Sequence, residues 1–422
     1  MALLGYGTVG SAVARLLSEG GDDIERATRH RLRVVRALVR DPEKRRPVSV
    51  PPGLLTDDFA AIRDDPAIVL VAEVMGGVDP TGAYVLELLR AGKQVVSANK
   101  QLIARRGAEL FAAASAAGVQ LRFEASVCAA IPVIKVLREA LVVTNVHRVL
   151  GIVNGTCNFM LTRMEAGSTY EQALAEAQAL GYAEADPSED VSGADAAAKM
   201  VILATIAFGS RVTLDSVVYA GIEGLRAEHL RAAKQLDMVV RLVGSATLVD
   251  DKVDVRVQPS LIDRHHPLAA IEGAFNAVML QGDAIREITL AGPGAGGIET
   301  ASAVVADMVS AVGTTGTGFL QNDACWRSLE RLPPGDLLSS FFIRVEVDDR
   351  AGVLARIADL LAAEGVSVAR LTQSLLNGSA ALDIVTHEAG AGRVGAALDR
   401  IAKLDEVHGT PQLLGVVAER GV

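Results

Sequence analysis

Met1-Ala-Leu-Leu-Gly5-Tyr-Gly7-Thr-Val-Gly10-Ser-Ala-Val-Ala opens the chain. The apolar run Ala2–Leu4 reads as a strand, and Ser11–Leu17 reads as a helix following directly on three glycines. In this strand–turn–helix setting Gly5, Gly7 and Gly10 permit a tight turn, close approach of backbone to a pyrophosphate, and close packing of helix on strand. The N–H groups and dipole of the helix start favour phosphate. A dinucleotide site is therefore expected, although a plain glycine turn would show the same spacing.

Working outward, strand-like and helical stretches alternate as far as about residue 125. Leu32–Val39, Ile68–Val74, Gln94–Ser97 and Val119–Glu124 read as strands, with helices at Tyr84–Ala91 and Arg105–Ala117. Near-continuous apolar strands interleaved with helices predict a Rossmann-like, doubly wound parallel sheet. The second strand should end at the adenosine ribose, where an acidic residue suits a free 2′-hydroxyl and Arg a 2′-phosphate. It ends Leu38-Val39-Arg40-Asp41, with Lys44, Arg45 and Arg46 close behind. Arg40 and the basic run favour NADP over NAD; Asp41 pulls the other way, and a solvated charge run would look alike.

The pattern changes near Ile131. A helix at Ile134–Leu141, a strand at His147–Val153, helices near Asn158 and at Tyr170–Leu180, an acidic loop at Gly181–Ser192 and the apolar helix Ala194–Phe208 follow. Alternating strands near Ala246–Gln258 and Ala277–Leu290 complete an α+β domain inserted on the first. The glycine-rich loop Gly292–Gly297 leads into a helix, Thr300–Val312, suited to packing back on the first domain. Leu332-Pro-Pro-Gly335 breaks the chain as a linker. Beyond it, Phe341–Val347, Val353–Glu364, Ser367–Ser374, Ala380–His387, Val394–Leu404 and Leu413–Val417 give the β-α-β-β-α-β order of a ferredoxin-like domain. The expected divisions are 1–130 with a return helix at about 300–330, 131–299, and 338–422.

Bulk properties narrow the class. With 422 residues, half of them hydrophobic, the chain fills two or three cores. A net charge of −10 argues against a general nucleic-acid surface. No apolar run reaches the roughly 18 residues of a membrane span, and no basic n-region precedes a signal core. Cys128, Cys157 and Cys325 have neither metal spacing nor a disulfide framework, which suits a reducing cytoplasm.

Gly181-Tyr-Ala-Glu184-Ala-Asp186-Pro-Ser-Glu189-Asp190-Val-Ser-Gly-Ala-Asp195-Ala-Ala-Ala-Lys199 is the most informative stretch for chemistry. Asp195 and Lys199 stand four apart on a helix and share a face. The helix continues almost wholly apolar, so Lys199 is expected to be partly buried and suited to acid–base work. Glu184, on the loop before it, adds a second carboxylate for a substrate ammonium. An ordinary helix start with acidic dipole complements and an i,i+4 ion pair would carry the same residues.

Read together, Gly5–Gly10, Glu73-Val-Met-Gly-Gly77, Ser97-Ala-Asn-Lys100, Glu124-Ala-Ser-Val127, Ile131-Pro132, Gly151-Ile-Val-Asn-Gly-Thr-Cys-Asn-Phe, Gly181–Pro187, Asp195–Lys199 and Gly292–Gly297 resemble homoserine dehydrogenase, in order, over residues 2–330. The resemblance implies interconversion of L-aspartate 4-semialdehyde and L-homoserine with NADP or NAD, and makes the α+β domain the substrate, catalytic and dimerisation domain. It implies Lys199 as proton donor, Lys100 near nicotinamide and substrate, and Glu184 and Asp195 as substrate-binding carboxylates. Gly181 and Gly296, with Thr8 and Val9 beside Gly5, Gly7 and Gly10, correspond to cofactor-contacting positions, and Gly181 lies beside the substrate as well. It further implies a monovalent cation, Na⁺, on the backbone carbonyls of Glu124, Val127, Ala129 and Ile131. Here the chain departs from the family, which often has glycines where Cys128-Ala129-Ala130 stands; alanine disfavours positive φ. Cys128 reads as a small packing residue, with a reactive thiol as the alternative.

The last unit resembles an ACT domain through Val347-Asp-Asp-Arg-Ala-Gly-Val-Leu354 and Glu364-Gly-Val-Ser-Val368, with Ala351 where proline is usual. That resemblance implies amino-acid binding, with threonine as the natural effector, and a homodimer or homotetramer; a purely structural module is the alternative. No kinase-length segment precedes the glycines, so a fused kinase is not expected. Another Rossmann dehydrogenase, or an amino-acid sensor with a vestigial core, are the rival readings.

Overall fold

The structure, a computed structural model, describes residues 1–28, 30–313, 329–376 and 378–417. It divides into two compact units: Met1–Val149 with Ala197–Ser216 and Phe275–Leu329, and Leu150–Ala196 with Val217–Ala274 and Glu330–Val422. Cys325 and the stretch 314–328 of the expected return helix lie outside the described residues.

The first unit is built on six parallel strands: β1 (Ala2–Leu4), β2 (Arg36–Leu38), β3 (Leu55–Thr56), β4 (Leu70–Glu73), β5 (Gln94–Ser97) and β6 (Leu121–Arg122). Their order is β3-β2-β1-β4-β5-β6. Connections leave β1 in opposite directions to β2 and β4, so a crevice opens beyond the carboxyl ends of these strands, where ligands of such sheets bind. The helix Thr8–Glu19 buries Val13 and Leu17 against Leu3, Leu70 and Val96. Helix Gly297–Gly313 buries Val304 and Met308 in the same core.

Two expected strands are shorter. Leu32–Val39 contracts to β2 because its partner β1 offers only three residues to pair with. Val119–Glu124 contracts to β6 because the chain turns at Phe123 (φ −154°, ψ 32°) into a 3₁₀ turn, Glu124–Ser126, and the Glu124 N–H donates to Asp307 instead of a neighbouring strand. The expected helix Ile134–Leu141 starts as a short α-turn, Val133–Lys135, and widens to a π-turn at Val136–Ala140.

In the second unit, Met238–Val249 and Lys252–Asp263 form a long antiparallel hairpin. The turn residues Asp250 and Asp251 both take positive φ (47° and 60°), as a two-residue hairpin turn requires and as Asp tolerates. The alternation read at Ala246–Gln258 therefore runs through a turn, and the sequence reading missed Met238–Ser245. The C-terminal strands are ordered Val407–Val417, Leu338–Val347, Ala380–Thr386, Val368–Leu375. Helices Val353–Ala363 and Ala391–Ile401 pack Ile357, Leu361, Val394 and Ile401 on Phe341, Ile343 and Val345 of that sheet. Helix Ala227–Gln235, absent from the sequence reading, ends at Leu236, whose carbonyl accepts from Arg370 Nη1. Among the described residues no helix is long and apolar enough to cross a membrane.

Candidate functional site

The glycine turn is arranged for a phosphate. Gly5 has φ +104°, and a Cβ there would come within 2.9 Å of the Val74 carbonyl oxygen. A Cβ on Gly10 would overlap the Gly5 carbonyl oxygen, inside the 3.0 Å that real Cβ atoms respect. Among the described residues nothing approaches within 4 Å of the corresponding point at Gly7, so that side is open. Gly7 caps helix Thr8–Glu19 without a side-chain acceptor, which leaves the first N–H groups available to an anion. A cleft of about 750 Å³ lies against this turn. Thr8 lines it together with Arg40, Lys44, Arg45 and Arg46. Val9 does not line it; it is half-buried against the core.

Two side chains shape the basic wall of the cleft. Asp41 Oδ1 accepts from the N–H groups of Glu43 and Lys44, so this carboxylate serves its own loop. Arg46 donates to the carbonyls of Asp41, Pro42 and Lys44 and holds that loop in shape.

Across the crevice, Glu73 ends β4 fully buried. It accepts from the N–H groups of Met75 and Gly76 and from Ser97 Oγ at 2.6 Å. Burial pushes its pKa up, against these hydrogen bonds. Asn99 Nδ2 donates to the Gly77 carbonyl, and Asn99 Oδ1 caps helix Lys100–Ala117 at Leu102 N–H. Lys100, half-buried, is thus held at a helix start tied to the Gly76–Gly77 turn. Gly296 (φ +138°) lies in the loop before helix Gly297–Gly313, and a Cβ on Gly297 would meet Thr8 Cγ2 at 2.8 Å. The two glycine-rich loops, far apart in sequence, are brought face to face.

The loop after Glu124 keeps a left-handed residue despite its composition. Ala129 takes φ +44°, a conformation that costs an L-residue about 1–2 kcal/mol. The Glu124 and Ile131 carbonyls each accept one backbone N–H, from Val127 and Val133. The Glu124 side chain accepts from the N–H groups of Ile134 and Lys135, both at 2.7 Å. Its pKa is pushed up to about 7, first by burial and then by Asp307. Cys128 and Cys157 are buried, and Cys157 Sγ donates to the Asp190 carbonyl at 3.2 Å. Among the described residues no group of three or more His, Cys, Asp or Glu side chains is placed to hold a metal.

Asp195 opens helix Ala194–Phe208 and is only 3% exposed. Asn154 Nδ2 donates to Asp195 Oδ2 at 2.9 Å and to Asp190 Oδ1 at 2.7 Å. Asn154 Oδ1 accepts from Cys157 N–H and caps helix Gly155–Glu165. One side chain therefore bridges two carboxylates and starts a helix. Lys199, one turn along from Asp195, is 8% exposed, and its helix continues apolar to Phe208. Gly181 (φ +76°) turns the chain after helix Tyr170–Ala179, and Thr156 Oγ1 anchors that turn by donating to the Tyr182 carbonyl. Glu184 is exposed; its carbonyl accepts from Gln178 Nε2. Sequence reasoning assigned no role to Asn154 or Glu73. The available signals were Asn before Gly-Thr at a helix start, and a carboxylate ending an otherwise apolar strand.

Comparison with known proteins agrees with this arrangement. Residues 5–124 match the family model described as homoserine dehydrogenase, NAD binding domain, residues 132–309 that of homoserine dehydrogenase, and residues 341–406 that of the ACT domain. A Bacillus subtilis homoserine dehydrogenase is 38% identical over 419 residues, 97% of this chain and 96% of its own. The crystal structure of a homoserine dehydrogenase from Thiobacillus denitrificans superposes with a TM-score of 0.94 at 36% identity, covering 99% of this chain and 97% of that one. A hyperthermophilic archaeal homoserine dehydrogenase in complex with NADPH gives a TM-score of 0.61 at 27% identity, covering 74% and 96%.

Proposed function

The chain belongs to the homoserine dehydrogenase family, a nicotinamide-dependent oxidoreductase of amino-acid biosynthesis, and from that premise we propose how its residues divide the work. Lys199 is the proton donor and acceptor at the substrate oxygen. Asp195 and Glu184 bind the substrate ammonium or hydroxyl, and Gly181 shapes the loop beside them. The observation that carries this reading is the buried Asp195 carboxylate, held by Asn154, one helical turn from the buried Lys199. When bound, the nicotinamide supplies hydride to the carbonyl carbon of L-aspartate 4-semialdehyde, or takes it back from L-homoserine. The cationic Lys199 stabilises negative charge on the oxygen and then donates its proton, directly or through one water. Lys100 adds positive charge at the same oxygen. Fixing the substrate by its ammonium holds the carbonyl in one orientation.

The coenzyme is NADP in this reading. Arg40, Lys44 and Arg45 line the cleft; Asp41 lines it as well, but its Oδ1 is engaged by its own loop. Gly5, Gly7 and Thr8 face the pyrophosphate, Gly10 keeps the helix close to the turn with Val9 packed behind it, and Gly181 and Gly296 contact the coenzyme further on. The carbonyls of Glu124, Val127, Ala129 and Ile131 suit a Na⁺ ion, because Ala129 keeps the left-handed turn. The division into 1–130, 131–299 and 338–422, a cytoplasmic setting, a homodimer or homotetramer, and threonine binding at residues 338–422 complete the proposal. Lys199→Ala should lower kcat at least a hundredfold while leaving the KM for NADP within threefold. Near-normal turnover in that variant rejects the assignment. Titrating L-threonine against the full chain tests the regulatory part: inhibition supports it, and neither inhibition nor binding rejects it.

A further inference from the structure

Asn276 is fully buried on the strand Phe275–Gly282, and no role falls to it in the reading above. Its Nδ2 lies 3.8 Å from Cys128 Sγ, and its Oδ1 has no hydrogen-bond partner among the described residues. Burying an acceptor without a partner is unfavourable, so the side chain needs another reason to be there. A Cβ built on Gly294 would overlap Asn276 Cγ, Oδ1 and Nδ2, all inside 3.0 Å. Gly294 is not among the residues with positive φ, so glycine is required here for space and not for backbone conformation. Asn276 also pairs in antiparallel register with Gly292, and a Cβ on Gly292 would stand 3.4 Å from Ile131 Cγ1. At the far end of the same loop, Gly297 closes on Thr8. The amide of Asn276 is thus wedged between the Cys128–Ile131 loop and the Gly292–Gly297 loop.

We propose that Asn276 is a positioning residue: its side chain is the spacer that sets where the Gly292–Gly297 loop stands against Thr8 and the dinucleotide turn. Close-packed interiors transmit such a displacement instead of absorbing it, so a change at Asn276 or Gly294 moves a loop that faces the coenzyme. The proposal rests on the reading that this loop contacts the coenzyme.

The test uses Asn276→Ala, Gly294→Ala and the double variant of the full chain. NADPH Kd is read by fluorescence titration, kcat at saturating coenzyme, and Tm by thermal unfolding. Gly294→Ala should weaken NADPH at least tenfold. Asn276→Ala should weaken it about three- to fivefold, with kcat within twofold of the parent. The double variant should bind NADPH more tightly than Gly294→Ala, because the missing amide makes room for the new methyl group. A double variant whose loss is the product of the two single losses shows no coupling and overturns the proposal alone. An unchanged Kd in Gly294→Ala overturns it together with the coenzyme assignment of the loop. Should Gly294→Ala fail to fold, Asn276→Ala decides: a lowered Tm with unchanged NADPH Kd makes Asn276 merely structural and overturns the proposal.

Discussion

Replacing Asn154 with alanine removes three hydrogen bonds at once: the two it donates to Asp190 and Asp195, and the one it accepts from Cys157 N–H. Losing the helix cap costs about 1 kcal/mol. Leaving the Asp195 carboxylate short of a donor while 3% exposed costs about 1.5–3 kcal/mol. Asp190 is half-buried and reaches water, so it adds little. The expected sum is about 2.5–4 kcal/mol, which at the entropy density of globular proteins lowers Tm by roughly 3–5 °C. Asn154→Asp separates the two contributions. It keeps the acceptor for Cys157 but sets a third carboxylate against Asp190 and Asp195, and carboxylates this close do not all ionise. Folded-state pKa values in that cluster then rise above the unfolded value near 4. A raised carboxylate pKa contributes stability that is present below the unfolded pKa and is lost as pH rises through the folded one. Asn154→Asp should therefore approach the parent near pH 4–5 and fall well below it at pH 8, whereas the deficit of Asn154→Ala stays nearly constant. Thermal unfolding at the two pH values, with homoserine KM and kcat alongside, measures this. If Asn154→Asp melts with the parent at pH 8, or Asn154→Ala keeps homoserine KM and kcat within twofold, the bridge does not organise the site.

Three further outcomes are expected. Gly10→Ala pushes a methyl group into the Gly5 carbonyl oxygen; losing one charge-assisted phosphate bond of about 1.5–3 kcal/mol weakens NADPH roughly 10- to 150-fold, and a twofold change or less in a fluorescence titration contradicts the turn's role. Arg40→Ala should lower the ratio of kcat/KM for NADP to that for NAD about tenfold or more, through loss of a charged hydrogen bond to the 2′-phosphate; an unchanged ratio sends the discrimination elsewhere. Burial lowers the pKa of His229, and Arg344 of the C-terminal sheet and Arg226 of its own helix start act in the same direction, against Glu228. Its folded pKa lies below the unfolded value of about 6.5, so stability is complete above that value and is lost as pH falls beneath it. The parent should lose more Tm between pH 7 and pH 5 than His229→Gln does, and parallel losses would refute this.

What the sequence determined by itself is whatever local physics enforces. Three glycines between an apolar run and a helix allow one turn, so Ala2–Leu4 and the dinucleotide loop were legible from the first ten residues. Gln94–Ser97 and Ala194–Phe208 appear with the bounds their composition implies, and Asp195 and Lys199 share a face by helical spacing alone. Tertiary structure decided what depends on distant partners. β2 stops at three residues because β1 is short. Glu124 leaves the sheet because Asp307 takes its N–H. Ala129 adopts a left-handed conformation that its type disfavours, because the surrounding packing holds it there. Asn154 could be read as a helix start, but the partners of Asn154 and Asn276 could not be read: they are the buried Asp195, brought across from another helix, and Gly294, brought across from another loop. A side chain's residue type states which bonds it can make; only the packed chain decides which groups arrive to make them, because burial removes the water that would otherwise take their place.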